Sequence, residues 1–150
     1  MNTLRIPNAR RTWFAAGVLL GAAGCGVSDG TVPRLAIEIS GAQFARDSTT
    51  LSAVIPLELR NNDSITVYVP GCGSNPVLTL QQWTPAGWQD RNSPLGCIYN
   101  PAPLALIPAA VRADTQRCAL VGMFRYTVSY GFNATQPLNL TAVGPPFTVR

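Results

Sequence analysis

The chain has 150 residues and a formal charge of +4, from 11 basic and 7 acidic side chains. Every basic residue is Arg and His is absent, which excludes His triads, His general acid–base chemistry and His metal sites. Arg5, Arg10 and Arg11 lie in the first 25 residues with no acid, and the remainder is close to neutral. The charge is therefore no sign of a nucleic-acid partner, since the other Arg residues are dispersed rather than clustered with aromatics.

Residues 1–11 form a basic leader, and Thr12 to Gly24 (TWFAAGVLLGAAG) follows without a charge. That run is shorter than the roughly 20 apolar residues a bilayer-spanning helix needs. A charged start, a short apolar stretch and small residues together make a secretory signal. The small residues end on a cysteine, Ala22-Ala23-Gly24-Cys25, and this resembles the lipobox of bacterial lipoproteins. The resemblance implies cleavage after residue 24, a diacylglyceryl thioether on Cys25 and attachment to a membrane through that lipid. Ala22 stands where the family usually has Leu. The competing reading is an ordinary signal peptide cut near Ala23 or Gly26. Arg10-Arg11-Thr12-Trp13-Phe14 also resembles a twin-arginine export signal, and Sec or twin-arginine export stays open. Gly26 after the cysteine lacks the Asp that retains lipoproteins in the inner membrane. The implied location is the bacterial cell envelope, on the outer membrane facing the periplasm where the cell has two membranes.

On that resemblance, residues 1–24 are the signal peptide and 25–33 the lipidated Cys and a short tether, with 34–150 expected to form one domain. From Leu35 onward the apolar period is two. Leu35, Ile37 and Ile39 alternate with polar or small residues, as do Ile55, Leu57 and Leu59 before the turn at Asn61-Asn62-Asp63. Ile65 to Val69 and Val77 to Trp83 are further runs, the latter joined to Trp88 through the hairpin loop Thr84-Pro85-Ala86-Gly87. Leu104 to Ile107 is a short run between prolines, and Pro108-Ala-Ala-Val is the one place for a single helical turn. Phe124, Tyr126, Val128 and Tyr130 alternate cleanly, and Phe147-Thr148-Val149 is the last run. About seven half-buried strands predict an all-β fold, a single antiparallel β-sandwich.

Leu57-Glu-Leu-Arg-Asn-Asn-Asp-Ser-Ile-Thr-Val, Gly122-Met-Phe-Arg-Tyr-Thr-Val and Pro146-Phe-Thr-Val resemble the bacterial immunoglobulin-like domain. A looser likeness is to the proteinase-inhibitor sandwich of the BsuPI type. Both imply a sandwich, and neither fixes an activity.

Cys72, Cys97 and Cys118 remain in the exported domain, where a disulfide is expected. Cys72–Cys97 is favoured because both sit in turn-rich segments, with Cys97–Cys118 next. Without His the leftover thiol has no base, so a buried inert cysteine outweighs a catalytic one. Three thiolates without a CxxC spacing make no zinc set. Trp83 and Trp88 flank the hairpin and make a possible contact for wall sugars, although a cross-strand pair steadying the hairpin explains them as well. Tyr68 and Tyr99 pose the same choice more weakly. Glu38 and Glu58 are read as solvated strand-face residues, because no spacing brings two acids together. No catalytic residue, metal or cofactor is expected. The chain is read as a membrane-anchored, non-enzymatic envelope lipoprotein for protein contact or structure. The alternative is a ligand-binding or inhibitory module for glycan or a proteinase.

Overall fold

The computed structural model describes residues 34–91 and 102–150. The leader, Cys25, the tether, Cys97 and Tyr99 lie outside the described residues. Leu35–Ile39 forms β1, Gln43–Phe44 β2 and Ala53–Asn61 β3. Three short strands follow, β4 (Val67–Val69), β5 (Gly71–Cys72) and β6 (Asn75–Pro76). The hairpin strands are β7 (Thr79–Thr84) and β8 (Gly87–Asp90). Beyond them come β9 (Leu104–Leu106), β10 (Val111–Cys118), β11 (Gly122–Tyr130), β12 (Leu140–Val143) and β13 (Phe147–Val149). Among the described residues there is no helix.

Two sheets face each other. The first has the order β1-β3-β10, and the second β2-β13-β11-β7-β8 with β12 beside β11. All these pairings are antiparallel except β2–β13, which is parallel. Ile55, Leu57 and Leu59 line the inner face of the first sheet, and Phe124, Tyr126 and Val128 that of the second. Phe147 joins them, its ring 5.5 Å from Tyr126, 6.0 Å from Phe124 and 5.7 Å from Phe44. In β1 and β3 the period-two alternation buries one face and leaves the other exposed or half-covered, as in an immunoglobulin-like all-β sandwich.

Four expectations are corrected. Pro108 starts no helical turn: Ala110 N–H donates to the Ile107 carbonyl at 3.0 Å, and Ala109 takes a φ of 59°. Pro before a left-handed residue closes a turn there instead. That turn feeds β10, a strand absent from the expected set, which pairs with β3 from Val111↔Arg60 to Cys118↔Ala53. Ile65 lies outside β4 and is 48% exposed. The fourth correction is the strand count, for thirteen strands occur among the described residues.

Chain ends and turns divide the sandwich. Leu35 pairs with Asn61 and Val111 with Arg60, so β1 begins and β10 begins at one end. Ala53, Cys118, Gly122 and Val149 meet at the other, through the pairs Cys118↔Ala53 and Gly122↔Val149. The β7–β8 hairpin is at this second end too, since Gln82 lies opposite Phe124 and the turn follows.

Candidate functional site

At the hairpin end, β7 and β8 place Trp83 directly opposite Trp88. The turn between them is held by Thr84, whose Oγ1 donates to the Gly87 carbonyl at 2.9 Å and accepts from Ala86 N–H at 3.2 Å. Gly87, at a φ of 99°, takes the conformation a side chain would resist. The two indole rings meet edge to face, 5.3 Å apart at 63°. The pair expected from the sequence therefore exists, and Trp83 is still 51% exposed.

A polar chain extends this pair across the outer face of the second sheet. Arg125 lies with its guanidinium 4.4 Å from the Trp88 ring centroid, a cation–π contact. Its Nε donates to Gln81 Oε1 at 2.8 Å, and Gln81 Nε2 donates to Asp90 Oδ1 at 2.9 Å. Register explains the grouping, because Arg125, Gln81 and Asp90 are successive cross-strand partners. The view of Arg and aromatics as unclustered is corrected here and at Arg34, which lies 5.3 Å from the Phe132 ring. Sequence spacing hid both, since the partners come from distant strands.

Apolar side chains gather around the same end. Leu51 leads into β3, and Leu120 and Val121 leave β10, beside the paired residues Ala53 and Cys118. Leu51 is 57% and Val121 54% exposed, and Gln82 Nε2 donates to the Val121 carbonyl at 3.2 Å. Met123, exposed on β11, borders a shallow depression of about 220 Å³ with Gln43, Pro146 and Thr148.

Glu38 and Glu58 are brought together, which corrects the reading from spacing: they are direct cross-strand partners. Arg60 bridges them, with Nε 2.9 Å from Glu38 Oε1 and Nη2 3.5 Å from Glu58 Oε2. The hydrogen bond to Glu38 raises the guanidinium pKa further. The three side chains lie on an open strand face, and two carboxylates tied to one Arg are placed for an ion-pair network rather than proton transfer.

Cys118 is a free, buried thiol, which removes the Cys97–Cys118 alternative. Burial raises its pKa and so holds it as the unreactive thiol. Cys72 carries no titrating thiol, and Cys97 lies outside the described residues. Tyr68 is half-buried and bridges to Gly131. Among the described residues no cluster of acids and thiols is arranged to hold a metal ion.

Sequence reasoning missed Asn61. Composition marks it as a turn residue, yet its side chain is fully buried. Its Nδ2 donates to the carbonyls of Leu106 at 2.8 Å, Ile65 at 2.9 Å and Ile107 at 3.1 Å, and its Oδ1 accepts from Asp63 N–H at 2.9 Å. One amide thus fastens the β3–β4 turn to the chain leaving β9. An open cleft of about 470 Å³ adjoins it, lined by Arg60, Asn62, Asp63 and the Pro108-Ala109 turn.

No family model matches the chain, and no curated protein matches it. Among solved structures, it is similar to the CARDB domain of the PF1109 protein from Pyrococcus furiosus. The solution NMR structure of that domain is 13% identical with a TM-score of 0.37, covering 77% of this chain and 94% of that one. The crystal structure, in complex with di-metal ions, is 15% identical with a TM-score of 0.38, covering 77% and 87%. The alkylpurine DNA glycosylase AlkC of Pseudomonas fluorescens, bound to DNA containing an abasic site analog, is 10% identical with a TM-score of 0.36. That match covers 81% of this chain and 32% of the glycosylase. At these values neither ligand nor activity transfers to this chain.

Proposed function

We propose that this protein is an envelope lipoprotein, held at a membrane by lipid on Cys25, whose sandwich is a non-catalytic protein-contact module. The observation that carries the contact role is the exposed apolar group at the hairpin end: Leu51, Leu120, Val121 and Trp83. Large exposed apolar side chains grouped on one surface favour protein association. The lipobox-like Ala22-Ala23-Gly24-Cys25 supports the anchor, with the outer membrane facing the periplasm as its location. A Cys72–Cys97 disulfide belongs to the same exported setting, where it closes a loop and stabilises by about 3–4 kcal/mol.

Two measurements test this. Mass spectrometry of the mature N-terminus should find a diacylated Cys25, and an unmodified cysteine ends the anchoring reading. A photo-crosslinking residue at Val121 should capture one defined envelope protein in intact cells, while the same residue at Glu38 should not. Equal capture at both positions, or none, removes the contact role.

The second reading is a glycan- or proteinase-binding module. It is favoured by the partly exposed Trp83–Trp88 pair with the Arg125–Gln81–Asp90 chain beside it, aromatic surface flanked by hydrogen-bonding groups. Retention on purified cell-wall sacculi that Trp83→Ala abolishes would establish the glycan version. Inhibition of a proteinase lost in the same variant would establish the other.

A further inference from the structure

The chain enters the sandwich beside an exposed apolar pair. Arg34, the first described residue, accepts at its carbonyl from Asn62 N–H at 2.8 Å, so Arg34 lies next to the β3–β4 turn. Ile65 is in that turn and is 48% exposed. Ile107, 64% exposed, precedes the Pro108-Ala109 turn. The two segments lie side by side because Asn61 Nδ2 is bonded to both of their carbonyls. Arg34 flanks them with a largely exposed side chain, 3.6 Å from Asp63.

We propose that this end of the sandwich docks on the lipid bilayer that holds Cys25, with Ile65 and Ile107 at the headgroup boundary and Arg34 at the phosphates. The inference rests on the lipid-anchor reading above. Its argument is the length of chain between the anchor and the described domain. Gly26 to Pro33 is eight residues, which reach roughly 26–29 Å when fully extended. Arg34 is therefore never farther than about that from the bilayer, and the apolar pair is beside Arg34. Contact on so short a leash is intramolecular, at an effective concentration on the order of millimolar, so a weak surface suffices. Amphipathic surfaces bind bilayers in this way, with apolar side chains at the acyl boundary and cations among the headgroups. Docking by this end aims the Trp83–Trp88 hairpin and Val121 away from the membrane, where a protein partner has access.

Hydrogen exchange on the mature chain, Cys25 to Arg150, tests the proposal. The chain, with Cys25→Ser, is attached by an N-terminal hexahistidine tag to nickel-chelating lipid in vesicles of phosphatidylethanolamine and phosphatidylglycerol. Docking is then read without acylation, which the mass of the mature N-terminus tests separately. Amides of residues 62–66 and 107–112 should slow about threefold against the same chain in solution, with residues 84–87 and 119–121 unchanged. The double variant Ile65→Ser, Ile107→Ser should lose the slowing, and both positions are exposed enough for the fold to survive. Unchanged exchange at 62–66 and 107–112, slowing confined to the hairpin end, or slowing that survives the double substitution overturns the proposal.

Discussion

The two ends of the sandwich are finished in opposite ways. At the Arg34 end a buried amide, Asn61, bonds three carbonyls and one N–H, so turns rich in polar backbone are closed from within. At the hairpin end the core rings of Phe124 and Phe147 lie two residues in from the paired ends Gly122 and Val149, and Leu51, Leu120 and Val121 are exposed. Polar closure is directional and fixes geometry, whereas apolar packing is not directional and leaves surface to spare. The Arg34 end is thus fixed by directional bonds, and the hairpin end keeps exposed apolar side chains to spare.

The largest effect is expected at the aromatic anchor. Phe147→Ala removes the ring that touches Phe44, Phe124 and Tyr126, and should cost about 3–5 kcal/mol in urea unfolding. Asn61→Ala should cost about 2–4 kcal/mol, because several buried backbone groups lose their partner at once. The sharper test is Asn61→Leu, which fills the volume without hydrogen bonds. If Asn61→Leu is as stable as the parent, packing rather than polar closure finishes the Arg34 end, and the contrast between the ends fails.

Much of this was legible in the residues. The runs at Leu35, Ile55, Phe124 and Phe147 alternate because one face of each strand is buried, and each folded as its pattern predicts. β10 was not legible, for a physical reason. It is an edge strand in which Arg112, Asp114 and Gln116 are half-covered and only Cys118 is buried, so no apolar alternation exists to read. Asn61 escaped because turn composition does not distinguish an exposed Asn from one bonded inward. The Glu38–Glu58 pairing and the place of Arg125 over Trp88 depend on register between distant strands, which local spacing does not encode. The Trp83–Trp88 pair was visible because a short hairpin fixes register by itself.

Smaller effects refine the hairpin end. Trp83→Ala and Trp88→Ala in a double-mutant cycle should give a coupling of about 0.5–1.5 kcal/mol from the edge-to-face contact. Zero coupling would leave ligand contact as the reason for the pair. Each end also holds one non-glycine in the left-handed region, Ala109 at a φ of 59° and Leu51 at 52°. Glycine at either position relieves strain of about 1–2 kcal/mol and returns part of it as unfolded-chain entropy. Ala109→Gly should therefore raise stability by about 0.5 kcal/mol. Leu51→Gly should do the same while weakening crosslinking from Val121, and a gain in stability with unchanged crosslinking would detach Leu51 from the contact surface.

The smallest effect is a dependence on pH confined to the loop that carries Leu51. Asp47 Oδ1 accepts from the N–H groups of Thr50 at 2.7 Å and Thr49 at 2.9 Å. Those bonds, Thr50 first, lower the carboxyl pKa in the folded chain, because they favour the ionised form. The unfolded chain then binds more protons than the folded one over the window between the two values. Stability contributed by Asp47 is accordingly full above the ordinary carboxylate range and is lost as pH falls through the depressed folded value. Asp47→Asn keeps an oxygen to accept both N–H groups but cannot titrate, so it should flatten this part of the acid limb while holding the loop closed. Asp47→Ala should flatten it and also speed exchange of the Thr49, Thr50 and Leu51 amides at neutral pH. An acid limb identical in Asp47→Asn and the parent would show that another carboxylate governs it, and the Asp47 clasp would then drop out of the comparison.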